Sequence, residues 1–267
     1  MIVAWKALLR GLLPASIQVP VKFWFDQARG YLEPEMALLP SLLKPGDRVI
    51  DVGGNRGVYA FRCWRLGAQV EVFEPNPVCL KVLQAWASNR PRVNVHAVGL
   101  SNESASASLH IPVDDTGIEH DASASIEQHA FSRSRAQSIH LETLDSFAFP
   151  DVSLIKIDVE GHEFSVIEGA ADTLRRLRPA LLIEIEQRHC QRAIVDVFAK
   201  VLAHGYNGYF LEEGRLRPIS DFRVERDQAE SNFGHPGHRY INNFLFLHAL
   251  RAEQGDYKSI PGVIAST

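Results

Sequence analysis

Arg48-Val49-Ile50-Asp51-Val52-Gly53-Gly54-Asn55-Arg56-Gly57 is the run from which the rest of the chain is best interpreted. An apolar segment ends in an acid, turns through three glycines and enters a helical pattern at Val58. This order predicts a strand, a glycine-rich turn and a helix, which is typical of a loop that binds a nucleotide cofactor. Glycine suits such a turn because the backbone takes positive φ there or comes so close to a ligand that a Cβ would clash.

The spacing of the glycines argues against a dinucleotide. A dinucleotide fingerprint needs glycines at positions i, i+2 and i+5, whereas Gly53 and Gly54 are followed two positions later by Asn55 and Arg56. The chain also lacks a Tyr-x-x-x-Lys set for hydride transfer. An NAD-dependent oxidoreductase is therefore a disfavoured alternative.

The spacing that is present, Asp51-x-Gly53-x-x-x-Gly57, resembles the first motif of class I S-adenosylmethionine-dependent methyltransferases. The resemblance implies that this loop wraps the amino-acid end of the cofactor, which is a zwitterion, and that an acid in the loop suits its ammonium. The cofactor-binding residues expected from the loop are Asp51, Gly53, Asn55 and Gly57.

A second acid ends the next strand pattern. The alternating segment Val70–Phe73 leads into Glu74 and Pro75, and Glu74 follows Asp51 by 23 positions. A carboxylate about 20 residues after the loop is expected to bind the ribose hydroxyls of a nucleotide. We therefore predict that Glu74 and Pro75 contact the cofactor, with a strand end whose acid only caps the next helix as the alternative.

A third strand is predicted from Val93 to Leu100. In the methyltransferase fold, the end of this strand lies against the adenine ring. The resemblance therefore implies that Val98 contacts adenine, with Ser101 or Asn102 as a side-chain partner.

Acidic residues crowd the end of the fourth predicted strand, where Val152–Ile157 runs into Asp158-Val159-Glu160-Gly161-His162-Glu163. The carboxyl ends of adjacent parallel strands form the ligand crevice of an open sheet. This cluster should therefore face the Gly53 loop across the cofactor, with Asp158 as a further cofactor-binding residue. The plainer alternative is that Glu160 and Glu163 only cap the following helix.

Several segments together resemble the FkbM family of methyltransferases. They are Glu33-Pro34-Glu35, Lys44-Pro45-Gly46-Asp47, Val49-Ile50-Asp51-Val52-Gly53-Gly54-Asn55, Asp158-Val159-Glu160-Gly161-His162-Glu163 and Val166-Ile167-Glu168-Gly169-Ala170. The resemblance runs from about Tyr31 to Leu247. Gly54 stands where the family usually has Ala, a departure that should not disturb the turn.

We accordingly predict an α/β, Rossmann-like class I methyltransferase fold. Its sheet is expected to have seven strands, mostly parallel with the last antiparallel, and helices on both faces. The predicted domains are an amphipathic helical extension over 1–30, a methyltransferase domain over 31–250 and a tail over 251–267. A β-hairpin over 104–149 is expected to form a lid or an acceptor-binding element.

Methyl transfer to an alcohol needs a base within hydrogen-bond reach of the hydroxyl. His162 is the first candidate because it is the residue of the cluster whose ordinary pKa lies near neutrality, and Asp158 and Glu160 are the alternatives. A divalent metal held by Asp158, Glu184 and Glu186 or His189 is a second way to activate the acceptor. No dedicated ligand motif supports it, so no metal is expected.

The acceptor predicted from the resemblance is a hydroxyl of a glycan or a secondary metabolite, with S-adenosylhomocysteine as the product. A cofactor-binding protein that no longer catalyses and serves as an interaction partner is the rival class. Intact motifs at Asp51, Glu74 and Asp158 argue against it.

Composition and charge limit the other classes of partner that the protein can bind. The chain has 267 residues, a net charge of −4 and a pI near 6.3, and no basic face points to nucleic acid. Three widely spaced cysteines, Cys63, Cys79 and Cys190, suggest neither disulfides nor zinc, so a cytoplasmic location is expected. Residues 1–13 read as an amphipathic helix that covers the domain or a partner subunit, with peripheral membrane contact as the less favoured use. No transmembrane segment is expected.

Overall fold

The computed structural model describes residues 13–114, 124–127, 133–189, 192–233 and 238–260. The helix predicted over residues 1–13 lies, apart from Leu13, outside the described residues, and so does Cys190. None of the helices in the described ranges combines the length and the apolar character that crossing a membrane requires.

The described chain contains eleven strands. They are β1 (Arg48–Val52), β2 (Gln69–Phe73), β3 (Val93–His96), β4 (Gly99–Leu100), β5 (Ala105–Pro112), β6 (Ser134–Glu142), β7 (Leu154–Ile157), β8 (Ala180–Glu184), β9 (Tyr206–Glu212), β10 (Arg215–Pro218) and β11 (Asn243–His248). Eight of them form one sheet in the order β10-β9-β11-β8-β7-β1-β2-β3.

The direction of the strands agrees with the predicted class I methyltransferase fold. Strands β3, β2, β1, β7 and β8 are parallel, and β11 lies antiparallel between β8 and β9. The prediction is confirmed in its main features, and the sheet gains an eighth strand, β10. A two-residue turn at Glu213 and Gly214, with φ of 48° and 75°, joins β9 to β10, and positive φ at both positions matches the twist of a tight hairpin.

Nine α-helices lie in the described residues. They are α1 (Ala15–Arg29), α2 (Leu39–Leu42), α3 (Val58–Arg65), α4 (Pro77–Ala87), α5 (Glu163–Glu168), α6 (Ala171–Leu177), α7 (Ile194–Leu202), α8 (Val224–Asp227) and α9 (Ala249–Glu253). Short 3-10 turns cover Pro34–Ala37, Leu144–Phe147, Ile219–Asp221 and Glu230–Asn232.

The sheet separates two apolar cores because neighbouring residues of a strand point to opposite faces. In β1, Val49 belongs to the core built with α1, α3 and α4, whereas Ile50 belongs to the core built with α5, α6 and α7. Leu182 and Leu181 of β8 divide in the same way. Helices therefore cover both faces, as predicted, and the strand ends open at one edge.

The predicted third strand is wrong in one respect. The chain leaves the main sheet after His96, and Gly99 and Leu100 pair instead with Leu141 and Glu142 in a second, three-stranded sheet. This sheet exists because the predicted hairpin forms: β5 and β6 pair antiparallel, and Leu109, Ile111, Ile139 and Leu141 bury one side of it. Pairing with β6 draws the end of the predicted strand away from β2.

The helix that follows β8 does not begin until Ile194. The side chain of Gln187 accepts a hydrogen bond of 2.9 Å from the backbone N–H of Ile194 and so satisfies a free donor at the helix start. Arg188 and His189 consequently lie in a turn at the carboxyl end of β8.

Candidate functional site

The glycine-rich loop packs directly against the end of β7. Gly53 has φ of +76°, and a Cβ built on it would lie 1.8 Å from the backbone oxygen of Asp158. The N–H groups of Gly53 and Gly54 both donate to the carbonyl oxygen of Phe73, at 2.9 and 3.2 Å. The loop is thus fixed between the ends of β7 and β2, with no room for a side chain at Gly53.

Gly54 has a reason of its own to be glycine in this chain. A Cβ at this position would lie 2.2 Å from Cγ1 of Val72, which is fully buried in β2. The turn forms with Gly54 as expected, but alanine would fit only if Val72 moved.

A cavity of about 580 Å³, counting the space open to solvent, lies above this loop. The predicted site residues that line it are Gly53, Asn55, Glu74, Pro75, Asp158 and Glu160. The other residues that line it are Val52, Phe73, Gly99, Leu100, Leu109, Ala124, Ile126 and Val159.

Four predicted site residues lie outside the cavity wall. Asp51 and Gly57 lie behind the loop, Val98 packs against the core on the α5 side, and His162 is buried beside the wall. Gly99 and Leu100, just after Val98, line the cavity in its place.

Asp51 supports the loop from behind. It is buried, and burial raises the pKa of its carboxyl group to about 6, although Lys156 and a backbone hydrogen bond from Ala60 at the start of α3 both lower it. Its Oδ2 atom has no hydrogen-bond partner among the described residues.

Glu74 is held in place by two backbone donors. Its Oε2 accepts from the N–H of Asn55 and its Oε1 from the N–H of Asn76, each at 2.7 Å. Burial raises the pKa of Glu74 to about 7 despite these two bonds, which lower it. Because each carboxylate oxygen has a second lone pair, Glu74 can still accept hydrogen bonds from a ligand.

Asp158 shares a buried ammonium with Glu184. The Nζ atom of Lys156, whose side chain is 1% exposed, lies 4.0 Å from Asp158 Oδ2 and 3.9 Å from Glu184 Oε2. Burial is the largest influence on Asp158 and raises its pKa to about 7, while the ammonium of Lys156 lowers it. The sequence places Lys156 in an otherwise apolar strand, and this was the missed signal that a buried ammonium pairs with acids at the strand ends.

His162 connects two parts of the chain that are distant in sequence. Its Nε2 lies 2.9 Å from Ser101 Oγ and its Nδ1 lies 2.8 Å from Glu127 Oε1. Glu127 belongs to the segment 124–127 of the hairpin insertion, and Ser125 in the same segment donates a 2.6 Å hydrogen bond to the backbone oxygen of Glu160. The segment therefore lies against the loop after β7, and Ala124 and Ile126 reach the cavity.

Glu160, like Asp158, belongs to the loop after β7 and lines the cavity. Its side chain forms an ion pair with His189. Burial lowers the pKa of His189, but its hydrogen bond to Glu160 and the negative charge there have the larger combined effect, and the pKa is raised.

Glu186 was the alternative to His189 in the possible metal site, and its carboxylate accepts hydrogen bonds from Arg188 and Tyr240. Across the described ranges, no three His, Cys, Asp or Glu side chains are arranged to hold a metal ion.

The residues present fit the amino-acid and ribose parts of S-adenosylmethionine. Gly53, the backbone of which packs too closely against Asp158 to carry a Cβ, and three carboxylates, Glu74, Asp158 and Glu160, line a cavity with apolar walls. Carboxylates suit both the hydroxyls of a ribose and an ammonium group.

Comparisons with known proteins agree with this arrangement. The family model described as the methyltransferase FkbM domain matches residues 51–207. Hexuronic acid methyltransferase AglP of Haloferax volcanii is 29% identical over 144 residues, which cover 52% of this chain and 56% of that protein. The crystal structure of methyltransferase FkbM from Methylobacillus flagellatus KT aligns with a TM-score of 0.50 and 16% identity over 81% of this chain and 51% of that chain. The chain spans little more than half the length of these two relatives, and the structural likeness concerns the fold alone.

Proposed function

Since the chain belongs to the FkbM family of methyltransferases, we propose that it uses S-adenosylmethionine to methylate a hydroxyl oxygen of a sugar, specifically of a hexuronic acid unit. The observation that carries the proposal is the cavity at the ends of β1, β2 and β7, where Glu74, Asp158 and Glu160 converge on the glycine-rich loop. The family-model match shows that the chain belongs to this methyltransferase family. The use of S-adenosylmethionine and the hexuronic acid acceptor are proposals.

In this proposal the cofactor is held along the loop. Glu74 accepts hydrogen bonds from the ribose hydroxyls, and Asp158 faces the ammonium of the amino-acid end. Gly99 and Leu100, with the apolar residues around them, pack against the adenine ring. The bound cofactor supplies a methyl group already activated by the positive charge on sulfur, so the protein has mainly to position the acceptor and remove its proton.

The carboxylates favour a hydroxyl over a carboxylate as the acceptor group. A hexuronic acid offers both kinds of oxygen, but an anionic carboxylate brought beside Asp158 and Glu160 would meet like charges. A neutral hydroxyl would instead find a proton acceptor there. We propose Glu160, paired with His189, as that acceptor. His162, whose two ring nitrogens already contact Ser101 and Glu127, holds the loop in position.

The name of the Haloferax volcanii relative, hexuronic acid methyltransferase, supports a hexuronic acid as the acceptor. Aromatic and aliphatic glycosides of glucuronic and galacturonic acid, compared with the matching neutral glucosides and galactosides, form a suitable acceptor panel. With S-adenosylmethionine labelled in its methyl group, we expect label to enter the uronic acid glycosides in a form that resists mild alkali. A methyl ether survives that treatment, whereas a methyl ester does not.

Glu160→Gln is the matched variant for this assay because it keeps the shape of the side chain and removes its basicity. We expect turnover to fall about 100-fold or more, with binding of S-adenosylmethionine nearly unchanged. Alkali-labile label would overturn the hydroxyl assignment, transfer to the neutral glycosides alone would overturn the uronic acid, and full activity of the variant would remove Glu160 as the base.

A further inference from the structure

Lys156 is the cation at the centre of a group of buried acids. It lies in β7, a strand with neighbours on both sides, and its ammonium has no access to solvent. The amide oxygen of Asn243 accepts its hydrogen bond at 3.2 Å, and the ammonium lies 4.9 Å from the ring centre of Tyr59. The hydroxyl of Tyr59 donates in turn to Glu33, at 2.5 Å.

More negative charge than positive charge surrounds this ammonium. Asp158 and Glu184 lie within 4.0 Å of it, and Glu33 and Asp51 act on it from farther away. Burial works to lower the pKa of Lys156, but these four carboxylates together raise it. The surrounding carboxylates therefore favour the charged form of Lys156.

Asp158 depends on that charge. The groups that face it from neighbouring elements are Lys156 of β7, Glu160 and Glu163 after β7, Asp51 of β1, Glu74 after β2, Tyr59 of α3, Glu184 of β8 and Glu33 before the first 3-10 turn. Among these groups, all from the described part of the chain, Lys156 is the one cation. Like charges oppose the ionisation of a carboxyl group and a nearby ammonium favours it, so the charge of Asp158 results from a balance in which Lys156 opposes all the other charged groups.

Glu184 competes for the same ammonium. Its Oε2 is as close to Lys156 Nζ as the carboxylate of Asp158 is, at 3.9 and 4.0 Å. Of these two carboxylates, Asp158 is the one that lines the cavity, and its side chain is 32% exposed. Lys156 and Glu184 thus act on the cavity through Asp158 and do not line it themselves.

We infer that Lys156 is a positioning residue that favours the ionised form of the Asp158 carboxyl group and directs it at the cavity, and that Glu184 moderates this effect by sharing the ammonium. This effect of Lys156 on Asp158 does not require a bound cofactor. Its consequence for binding rests on the proposed function, in which Asp158 faces the ammonium of S-adenosylmethionine.

Two variants with opposite expected signs test the inference. Lys156→Met removes the cation, so the midpoint at which Asp158 ionises should rise by about one pH unit or more. Glu184→Gln removes the carboxyl group that competes for the ammonium and keeps an oxygen that can accept the 2.6 Å hydrogen bond from Asn242. Burial raises the pKa of Glu184 well above its ordinary value, so the midpoint of Asp158 should fall to the extent that Glu184 ionises over the same pH range. The readout is a carbon-13 NMR titration of the aspartate side-chain carboxyl groups in the ligand-free protein, with Asp158→Asn identifying the resonance.

The same variants are then titrated with S-adenosylmethionine by calorimetry from pH 6 to pH 9. A one-unit rise in the midpoint should weaken binding by up to about tenfold below it and leave affinity nearly unchanged well above it. A purely structural role would weaken binding at every pH and would not give shifts of opposite sign.

Midpoints unchanged in both variants, or moved in the same direction, would overturn the inference. If Lys156→Met does not fold, the direction of the shift in Glu184→Gln decides alone. Opposite NMR shifts without binding of S-adenosylmethionine to the wild-type protein would confirm the role of Lys156 and reject the proposed function instead.

Discussion

Gly53→Ala is expected to lower the free energy of unfolding by about 4 kcal/mol or more and to abolish cofactor binding. Two costs add. The residue has φ of +76°, a conformation that costs alanine about 1–2 kcal/mol, and its new Cβ would lie 1.8 Å from the backbone oxygen of Asp158. The obstacle is backbone, so the glycine-rich loop and the end of β7 would have to separate. Urea unfolding followed by circular dichroism measures the change.

Gly214→Ala is the matched control. Gly214 has φ of +75°, nearly the same as Gly53, but a Cβ there would meet no atom within 4 Å. This variant should therefore show the cost of the backbone conformation alone, about 1–2 kcal/mol. Equal losses in the two variants would contradict the close packing of the loop against β7.

The ligand-free protein should lose stability as the pH rises from 5.5 to 8. Burial raises the pKa of Glu35, Glu74 and Glu163 from 4.5 to about 7, and that of Asp51 from 3.8 to about 6. Between the unfolded and folded pKa values, the folded protein holds more protons than the unfolded chain. Its stability is therefore full below about pH 4 and declines as the pH rises through the folded values. We expect a loss on the order of 7 kcal/mol, about 2 kcal/mol from each glutamate and about 1 kcal/mol from Asp51, measured by urea unfolding at the two pH values.

Glu163→Gln isolates one of these contributions. Glu163 is 2% exposed and accepts a 2.8 Å hydrogen bond from the N–H of Gly161, which a glutamine oxygen can also accept. The variant should lose about 2 kcal/mol less of its free energy of unfolding than the wild type over this range. Glu225→Gln, at an exposed position, should leave the loss unchanged. Stability that is constant or rises from pH 5.5 to pH 8 would show that these carboxyl groups are not desolvated as described.

The central part of the site could be predicted because its signals are local. Asp51, Gly53 and Gly57 lie within seven residues, and the conformation of a tight turn depends on such short spacing. Glu74 and Asp158 each end an apolar strand, and parallel strands bring their carboxyl ends to one edge. The residues predicted from the sequence that line the cavity are accordingly Gly53, Asn55, Glu74, Pro75, Asp158 and Glu160.

The supporting interactions could not be predicted because they join distant parts of the chain. Glu127 meets His162 across 35 positions, and Asn243 meets Lys156 across 87. No pattern in a single sequence specifies such a pair. His162 is attractive as a base from its residue type alone, but its two ring nitrogens are already engaged by Ser101 and Glu127.

Two errors in the predicted strands have local physical causes. Val93 to Leu100 has the pattern of one continuous strand in the sequence, but Gly99 and Leu100 pair with β6 in the second sheet. Strand β10 is short and mostly exposed, so it lacks the apolar alternation that marks a strand. Its signal was the turn at Glu213 and Gly214.

Calorimetric titration of the wild-type protein with S-adenosylmethionine, S-adenosylhomocysteine and NAD tests the central claim most directly. The account predicts that the first two bind and that NAD does not. It also predicts that Glu74→Gln, which lacks the second acceptor oxygen, binds both about tenfold or more weakly because a charged hydrogen-bond acceptor is lost. Binding of NAD alone, or no heat from either S-adenosyl compound, would contradict the assignment of the cavity between Gly53, Glu74 and Asp158.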